Sequence, residues 1–222
     1  MHFNPNLAAY ALAASVTLIS LGAQAGPIDI KVVGTITPGA CVPSIASGGI
    51  FNYGIIDSEQ VNQTSYTLLD EKELDFSINC TAPTKVALST VDNRSSSRMS
   101  ALETTLGADA PYLYGLGLAS GVPIGSYVLR LKDNSFTADG SEVFIVSSNS
   151  AGSAWTVPTG ENILPGPTFW RSWSDTAGGF PVEVTTLVGK ISVLTALNSG
   201  ANLPLTDDAE LDGSATLTMF YL

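Results

Sequence analysis

The sequence predicts an all-β fold in which short strands form a β-sandwich. About nine short runs rich in β-branched and aromatic residues alternate with Gly, Pro, Asn and Asp breakers. Helical periodicity is nearly absent, and 21 Gly and 12 Pro in 222 residues indicate many turns. Short strands with turn signals between them favour two packed sheets in one domain rather than a helical or mixed architecture.

The clearest predicted strand is 73–80, where Leu74, Phe76 and Ile78 fall on one face. Residues 97–106 are the one plausible helical stretch and fit a loop equally well. Residues 149–180, rich in Gly, Pro and Ser, are the least regular part and are predicted to form a long loop. The predicted strands are 28–36, 49–56, 73–80, 85–91, 112–119, 126–132, 142–147, 181–195 and 215–222.

The first 25 residues have the pattern of a secretory signal peptide. An apolar run over 7–21 ends in Ala23-Gln24-Ala25, the small-x-small pattern that signal peptidase cleaves. The segment before this run carries no Lys or Arg, only His2 and the amino terminus. We expect cleavage after Ala25 and export of residues 26–222, which contain no further long apolar run to act as a membrane anchor.

The composition excludes several classes of function. A net charge of −11 argues against nucleic acid or an anionic membrane as a partner. The single histidine, His2, lies in the predicted signal, so a mature chain cleaved after Ala25 offers no His for Ser-His-Asp or Cys-His catalysis or for a zinc site. We therefore predict neither an enzyme nor a cofactor, although 20 Asp and Glu leave a two-carboxylate glycosidase open.

Three further groups of residues are candidates for specific roles. Cys41 and Cys80 are predicted to form a disulfide, because an exported chain with two cysteines favours one over buried free thiols. An acidic cluster before the last strand is a solvated turn or, less favoured, a calcium site. Aromatic residues within 149–180 either cap the core, which we favour, or bind a surface ligand such as a host glycan. The acidic cluster is Asp207, Asp208, Glu210 and Asp212, and the aromatic residues are Trp155, Phe169, Trp170 and Trp173.

Both ends of the mature chain carry alternating apolar residues. A strand at an unpaired terminus has open backbone groups and must find a sheet edge. The glycine on the apolar face of the N-terminal strand is unusual, since it gives up packing there. The N-terminal face comprises Ile28, Ile30, Val32, Gly34 and Ile36, and the C-terminal strand comprises Ala215, Leu217, Met219 and Tyr221 after Gly213.

These motifs resemble those of chaperone–usher fimbrial subunits, the pilins. Gly34-Thr35-Ile36 followed by Cys41 is similar to the family's Gly-Thr-Val followed five residues later by Cys. Residues 74–80, ending at Cys80, resemble the family's second-cysteine strand, and Tyr221 matches its penultimate tyrosine, with Gly213 upstream. Residues 212–217 and 114–118 also resemble a poorly characterised family of fimbria-associated secreted proteins. The resemblance covers both ends and the first third of the mature chain, and 81–208 carries no matching landmark.

The resemblance implies an incomplete immunoglobulin-like β-sandwich, the pilin fold, which lacks its seventh strand. Residues 26–40 would be a donor-strand extension and 41–222 the pilin-like domain. A periplasmic chaperone would fill the groove and hold the carboxylate of Leu222, and at the outer-membrane usher the extension of a neighbouring subunit would replace it. The expected product is a homo- or hetero-polymeric fimbrium on the cell surface that contributes to adhesion or biofilm formation. A single-domain tip adhesin and a free periplasmic β-sandwich protein are the alternatives.

Overall fold

The computed structural model describes residues 29–35, 40–161, 163, 165–205 and 208–222. The signal peptide and its cleavage site, Ile28, Ile36 and Asp207 lie outside the described residues. The described residues belong to two units that divide between Ile36 and Thr37.

The first unit is described over residues 29–35, which form no regular secondary structure. Every side chain in this segment is exposed, including the apolar ones: Ile30 is 88% exposed and Val32 is 96% exposed. In the single chain, this part of the predicted first strand therefore has no strand partner among the described residues.

The second unit is all-β, which confirms that part of the predicted fold class. All of its strand pairings are antiparallel. Its described residues form the strands β1 (Cys41–Ile45), β2 (Thr67–Leu68), β3 (Lys72–Thr84), β4 (Val86–Asp92), β5 (Tyr114–Gly115), β6 (Leu118–Ala119), β7 (Val122–Pro123), β8 (Gly125–Leu131), β9 (Thr137–Ala138), β10 (Ser141–Glu142), β11 (Phe144–Ser148), β12 (Trp170–Ser174), β13 (Val184–Leu197) and β14 (Ala215–Tyr221).

Two sheets and one small hairpin contain these strands. The larger sheet has the order β1-β3-β13-β8-β5; β2 and β9 also pair with β13, and β10 pairs with β9. The second sheet has the order β11-β12-β4-β14, and β6 pairs with β7 alone. Within the described residues, β1 and β14 are thus edge strands of different sheets.

A single large hydrophobic cluster draws side chains from both sheets. Ile78 of β3 and Ile191 of β13 contribute from the larger sheet, and Leu88 of β4 and Trp173 of β12 from the second. These four side chains are at most 1% exposed. The Trp173 ring packs at 5.3 Å from that of Phe136, so the strand that carries Trp173 is fixed by the core.

The disulfide prediction is confirmed. Cys41 and Cys80 are bonded and face each other in register, so the bond joins β1 to β3. In the chain-entropy model, a crosslink closing a loop of this length adds about 4 kcal/mol to the free energy of unfolding.

Among the described residues, helical structure is limited to short turns. Residues 97–106, which the sequence fits to either a helix or a loop, contain the 3₁₀ turn Ser100–Leu102 and the one-turn helix α1 (Glu103–Leu106). Further 3₁₀ turns are Ala46–Gly49, Ser58–Gln60, Ser95–Ser97 and Ala110–Tyr112. Within the described part of the chain, no helix is long and apolar enough to span a membrane.

The predicted strand over 49–56 is wrong. Gly54 adopts a φ of +68°, and its N–H donates to the side-chain oxygen of Asn52 at 2.7 Å. This Asx-type turn interrupts the apolar run before it can pair as a strand.

Two other element predictions need correction. The predicted strand over 112–119 is reduced to the two-residue strands β5 and β6. The predicted loop over 149–180 contains β12, which pairs with β11 and with β4. The sequence Trp-Arg-Ser-Trp-Ser lacks a β-branched residue, and its strand conformation follows from pairing on both sides and from core burial.

Candidate functional site

The last strand, β14, is open along one side. It pairs with β4 over its whole length, from Ala215 opposite Asp92 to Tyr221 opposite Val86. No other strand of the described residues pairs with it. A sheet edge of this length offers a row of backbone donors and acceptors to another strand.

The alternation of backbone hydrogen bonds between β14 and β4 shows which residues of β14 present free donors and acceptors to its open side. Asn93 N–H donates to the Ser214 carbonyl at 3.0 Å, and Leu222 N–H donates to the Lys85 carbonyl at 3.1 Å. Successive residues of an antiparallel strand alternate between bonding their neighbour and pointing away from it. The even-numbered residues from 214 to 222 therefore bond β4, and the N–H and C=O groups of Ala215, Leu217, Met219 and Tyr221 point to the open side. No backbone partner for these four residues occurs within the described ranges.

The side chains of β14 leave the core partly uncovered. Leu217 and Met219 pack against the main cluster but are only partly buried. In the adjacent strand β4, Leu88 is fully buried. Burial of the apolar side chains thus decreases from β4 to its neighbour β14. A further strand beside β14 would therefore remove more apolar surface from water.

The strand β1 forms a second open edge close by. It pairs with β3, where Thr81 N–H donates to the Ala40 carbonyl at 2.9 Å, so the backbone groups of Cys41 and Ile45 point away from β3. Cys41 N–H instead donates to the hydroxyl oxygen of Tyr221 at 3.0 Å. The two strands are therefore linked through a tyrosine side chain and not by the direct pairing that brings backbones to about 4.8 Å. We call these two strands, Cys41–Ile45 and Ala215–Tyr221, the β1/β14 edge.

The start of β14 is anchored by the residues that precede it. The Arg94 guanidinium donates to both carboxylate oxygens of Asp212, at 2.8 and 2.9 Å. These hydrogen bonds hold the pKa of Asp212 below its usual value. At Gly213, a Cβ would lie 2.9 Å from the Tyr127 ring, so glycine permits the close approach of this segment to the core.

The described residues of the predicted acidic cluster are Asp208, Glu210 and Asp212, and all three are exposed. Asp212 is paired with Arg94. Across the described residues, no group of three or more His, Cys, Asp or Glu is arranged to hold a metal ion.

The predicted aromatic residues occupy different environments. Trp173 belongs to the core and is not available to a surface ligand. Trp155, Phe169 and Trp170 are partly buried. Trp170 stacks on Phe220 of β14 with ring centroids 4.6 Å apart.

A surface pocket of about 440 Å³ brings some of these rings together. Trp155 and Trp170 line it, along with Phe180, which sequence reasoning missed. The available signal was an aromatic residue between Gly179 and Pro181 in a turn-rich segment, which by itself indicates no binding. The remaining lining residues are Lys85, Ala151, Gly152, Pro181, Tyr221 and Leu222.

Comparison with known proteins gives similarity to a family and to two relatives. Residues 30–128 match the family model "Protein of unknown function (DUF1120)". The chain is 25% identical to "Uncharacterized protein YhcF" of Escherichia coli (strain K12) over 236 residues, which cover 95% of this chain and 98% of that protein. It is 26% identical to "Protein GltF" of the same strain over 255 residues, which cover all of both chains. The similarity to GltF therefore extends across the β1/β14 edge.

Proposed function

We propose that this protein is a structural subunit of a bacterial surface fimbria, assembled by donor-strand exchange. In this proposal, the second unit is an incomplete immunoglobulin-like sandwich, and the N-terminal segment of a neighbouring subunit completes it at the β1/β14 edge. The observation that carries the proposal is the outward row of backbone groups at Ala215, Leu217, Met219 and Tyr221 beside a partly uncovered core. This open row would give the alternating residues of the C-terminal strand the role that the resemblance implies, which is to line the groove for a donor strand.

The described N-terminal segment has the properties of a donor. Ile30 and Val32 are two residues apart and almost fully exposed, so in an extended conformation they project to one face. Two-residue spacing is also the repeat of the outward backbone groups of β14. An added strand would therefore place its apolar face towards Leu217 and Met219 while its backbone bonds the edge.

The free energies involved favour a donor strand that contributes both buried apolar side chains and backbone hydrogen bonds. Burying Ile30 and Val32, together with Ile28 and Ile36 of the same predicted face, contributes roughly 1.5–3 kcal/mol each. Ordering the extension costs roughly 1–2 kcal/mol per residue, so ordering about ten residues costs as much as that gain or more. Backbone hydrogen bonds, at about 1 kcal/mol net each, supply the difference only if the donor pairs along the edge.

The route to the cell surface follows from the same proposal. A subunit with an open edge is prone to pair with any free strand, so it needs protection between export and assembly. A periplasmic chaperone and an outer-membrane usher would supply that protection and the exchange. Contribution to adhesion or biofilm formation would then be a property of the assembled fibre.

Two charge substitutions on opposite faces of the extension test the proposal. Ile30→Asp places a carboxylate on the face that would enter the neighbour, and should abolish fibre formation while leaving export intact. Val33→Asp introduces the same group at another exposed apolar residue, 88% exposed, on the opposite face. Fibres are measured by electron microscopy and by SDS-resistant oligomers, and export by the amount of chain in the periplasm.

Val33→Asp is expected to assemble normally, since that face of a donor strand remains in solvent. Normal fibres from Ile30→Asp would refute the donor role. Loss of fibres from both variants would show that the extension acts by its general hydrophobicity and not as a strand with one inserted face.

A further inference from the structure

We infer that the folded chain suppresses the isomerisation of its two Asp-Gly dipeptides to isoaspartate, and that Arg94 and Thr185 are the side chains responsible. The dipeptides are Asp139-Gly140 and Asp212-Gly213, and the sequence contains no other Asp-Gly and no Asn-Gly. This inference does not depend on fibre assembly, because the contacts that carry it all lie within the second unit.

Glycine after aspartate favours this modification, because a residue without Cβ leaves its amide nitrogen open to the preceding side chain. The glycine nitrogen attacks the Cγ of the aspartate, an N–Cγ bond forms, and the amide proton leaves with the carboxyl OH as water. Water then opens the succinimide at either carbonyl, which returns aspartate or gives isoaspartate with one additional atom in the backbone. The attack needs a protonated carboxyl group that is free to turn towards the glycine nitrogen, since an ionised carboxylate is a poor electrophile.

Burial protects neither of these sites. Both aspartates and both glycines are exposed, so water can reach the reacting groups. Any suppression of the reaction in the folded chain must therefore come from contacts that fix the carboxylate and the neighbouring backbone.

At Asp212, the carboxylate and the backbone on both sides of the reacting bond are held. The Arg94 guanidinium donates to both carboxylate oxygens, at 2.8 and 2.9 Å, and its Nε also donates to the Asp212 carbonyl at 3.1 Å. Asp212 N–H donates to the Leu116 carbonyl, and Asn93 N–H donates to the Ser214 carbonyl, both at 3.0 Å. The hydrogen bonds from Arg94 hold the pKa of Asp212 below its usual value, which leaves less of the protonated form at neutral pH.

At Asp139, neighbouring donors hold the carboxylate in a similar way. It accepts hydrogen bonds from the Thr185 hydroxyl, from the Thr185 N–H at 3.1 Å and from the Thr186 N–H at 2.8 Å. Asp139 N–H in turn donates to the Thr186 carbonyl at 2.8 Å. The Thr185 hydroxyl is the main cause that lowers the pKa of this carboxyl group.

Both sets of contacts exist only after the chain has folded. Thr185 lies 46 positions from Asp139, and Arg94 lies 118 positions from Asp212. An unfolded chain or a short peptide contains the same dipeptides without these donors. The rate of isomerisation should therefore differ between the folded and the unfolded chain at both sites.

Isomerisation at Asp212 would disturb the strand that follows it. The additional backbone atom would lie between the hydrogen bond of Asp212 to Leu116 and that of Ser214 to Asn93. Both bonds could then not be kept without shifting the start of β14. The contact of Arg94 with Asp212 thus preserves the register of one strand of the β1/β14 edge.

The test measures isoaspartate at each site by peptide mapping and mass spectrometry during prolonged incubation of the exported chain at neutral pH. Synthetic peptides of residues 135–144 and 208–217 give the rates without the fold, and the folded chain should react several-fold more slowly at both sites. Arg94→Gln should raise the rate at Asp212 several-fold and leave Asp139 unchanged. Thr185→Val should raise the rate at Asp139 alone, and by less, because the two backbone N–H donors remain.

Lys190→Gln is the matched control, because it removes the cation of another exposed ion pair, with Glu73 at 3.2 Å, and should change neither rate. Thermal denaturation shows whether each variant folds, and Arg94→Lys, which keeps the charge but not the paired contact, is measured if Arg94→Gln does not. Rates in the folded parent equal to those of the peptides would overturn the inference. So would an unchanged rate at Asp212 in the Arg94 variant, or an equal rise at both sites, which would indicate general loosening of the fold.

Discussion

At the scale of single residues, the hydrogen bond between Cys41 and Tyr221 links the two open edges. Cys41 is held in turn by its disulfide to Cys80, so the tyrosine hydroxyl is attached to a backbone that can move little. The hydrogen bond therefore connects the end of β14 to the disulfide-linked strands β1 and β3 of the larger sheet.

We expect Tyr221→Phe to lower the free energy of unfolding by about 1 kcal/mol, the net value of one hydrogen bond. For a chain of this size, that corresponds to a fall in Tm of about 2–4 °C in thermal denaturation followed by circular dichroism. Tyr66→Phe is the control, because Tyr66 is partly buried and its hydroxyl has no hydrogen bond within the described residues. Equal Tm values for the two variants would show that the Cys41 contact adds no stability.

Residue-scale prediction from sequence succeeded where local pattern was enough. Two cysteines in a chain with a predicted export signal predicted the disulfide, and strict alternation indicated a shared face for Leu217 and Met219. The ion pair of Arg94 with Asp212 was not predictable, because the two residues are 118 positions apart and meet only through the fold. The pocket position of Phe180 was missed for the same reason.

At the scale of elements, β4 and β14 differ in burial because β4 lies between two strands, whereas β14 pairs only with β4 among the described residues. Leu88 in β4 is fully buried, whereas Leu217 in β14 also faces the main cluster but is partly exposed. The difference arises from strand position and not from side-chain type, since both are leucines. An added strand would place β14 in the position that β4 now occupies.

This difference predicts contrasting effects of arginine at adjacent positions of β14. Leu217→Arg puts a charge where the donor strand would pack, and should reduce the yield of SDS-resistant polymer by more than about tenfold. Thr218→Arg, on the other face of the same strand, should leave the yield unchanged.

The two variants are first compared by far-UV circular dichroism and by formation of the disulfide, so that a failure to fold is recognised. A Leu217→Arg variant that folds and polymerises normally would contradict insertion of a strand beside β14. The substitution Leu217→Asn, which is smaller and uncharged, serves in place of arginine if the first variant does not fold.

Element prediction failed where pairing, and not local pattern, determines the conformation. Residues 49–56 are apolar enough for a strand, but the turn at Gly54 prevents pairing. In contrast, β12 lacks β-branched residues and lies in a segment rich in Gly, Pro and Ser, yet it is an interior strand because β11 and β4 pair with it on its two sides. Single-sequence patterns contain no information about which neighbours a segment will find.

At the scale of the whole molecule, the chain has two surfaces that each lack a strand partner among the residues that the structure describes. The segment 29–35 exposes Ile30 and Val32, and the β1/β14 edge exposes backbone groups and part of the core. The sequence predicted both features through their alternation. That they complete each other between neighbouring copies is the proposal, and it can be tested within one engineered chain.

We expect a chain carrying a second copy of residues 26–38 after Leu222, joined by a short flexible linker, to complete its own edge. Such a chain should be monomeric, because its edge is occupied intramolecularly at a high effective concentration. Its Tm should rise by at least about 5 °C, since the added apolar burial and backbone pairing exist only in the folded state. Size-exclusion chromatography with light scattering measures the first effect, and calorimetry measures the second.

The control is the same fusion with Ile30→Asp in the appended copy, which has equal length and one altered inserted side chain. A carboxylate buried against Leu217 and Met219 would lose its hydration without gaining a partner, so this fusion should keep the Tm and the polymerisation of the parent chain. Equal stabilisation by both fusions would mean that the tail acts by nonspecific contact. Polymerisation of the unaltered fusion at the parental rate would mean that subunits join through a surface other than the β1/β14 edge. Only insertion of one apolar face into that edge predicts that a single side chain separates a stable monomer from a polymer.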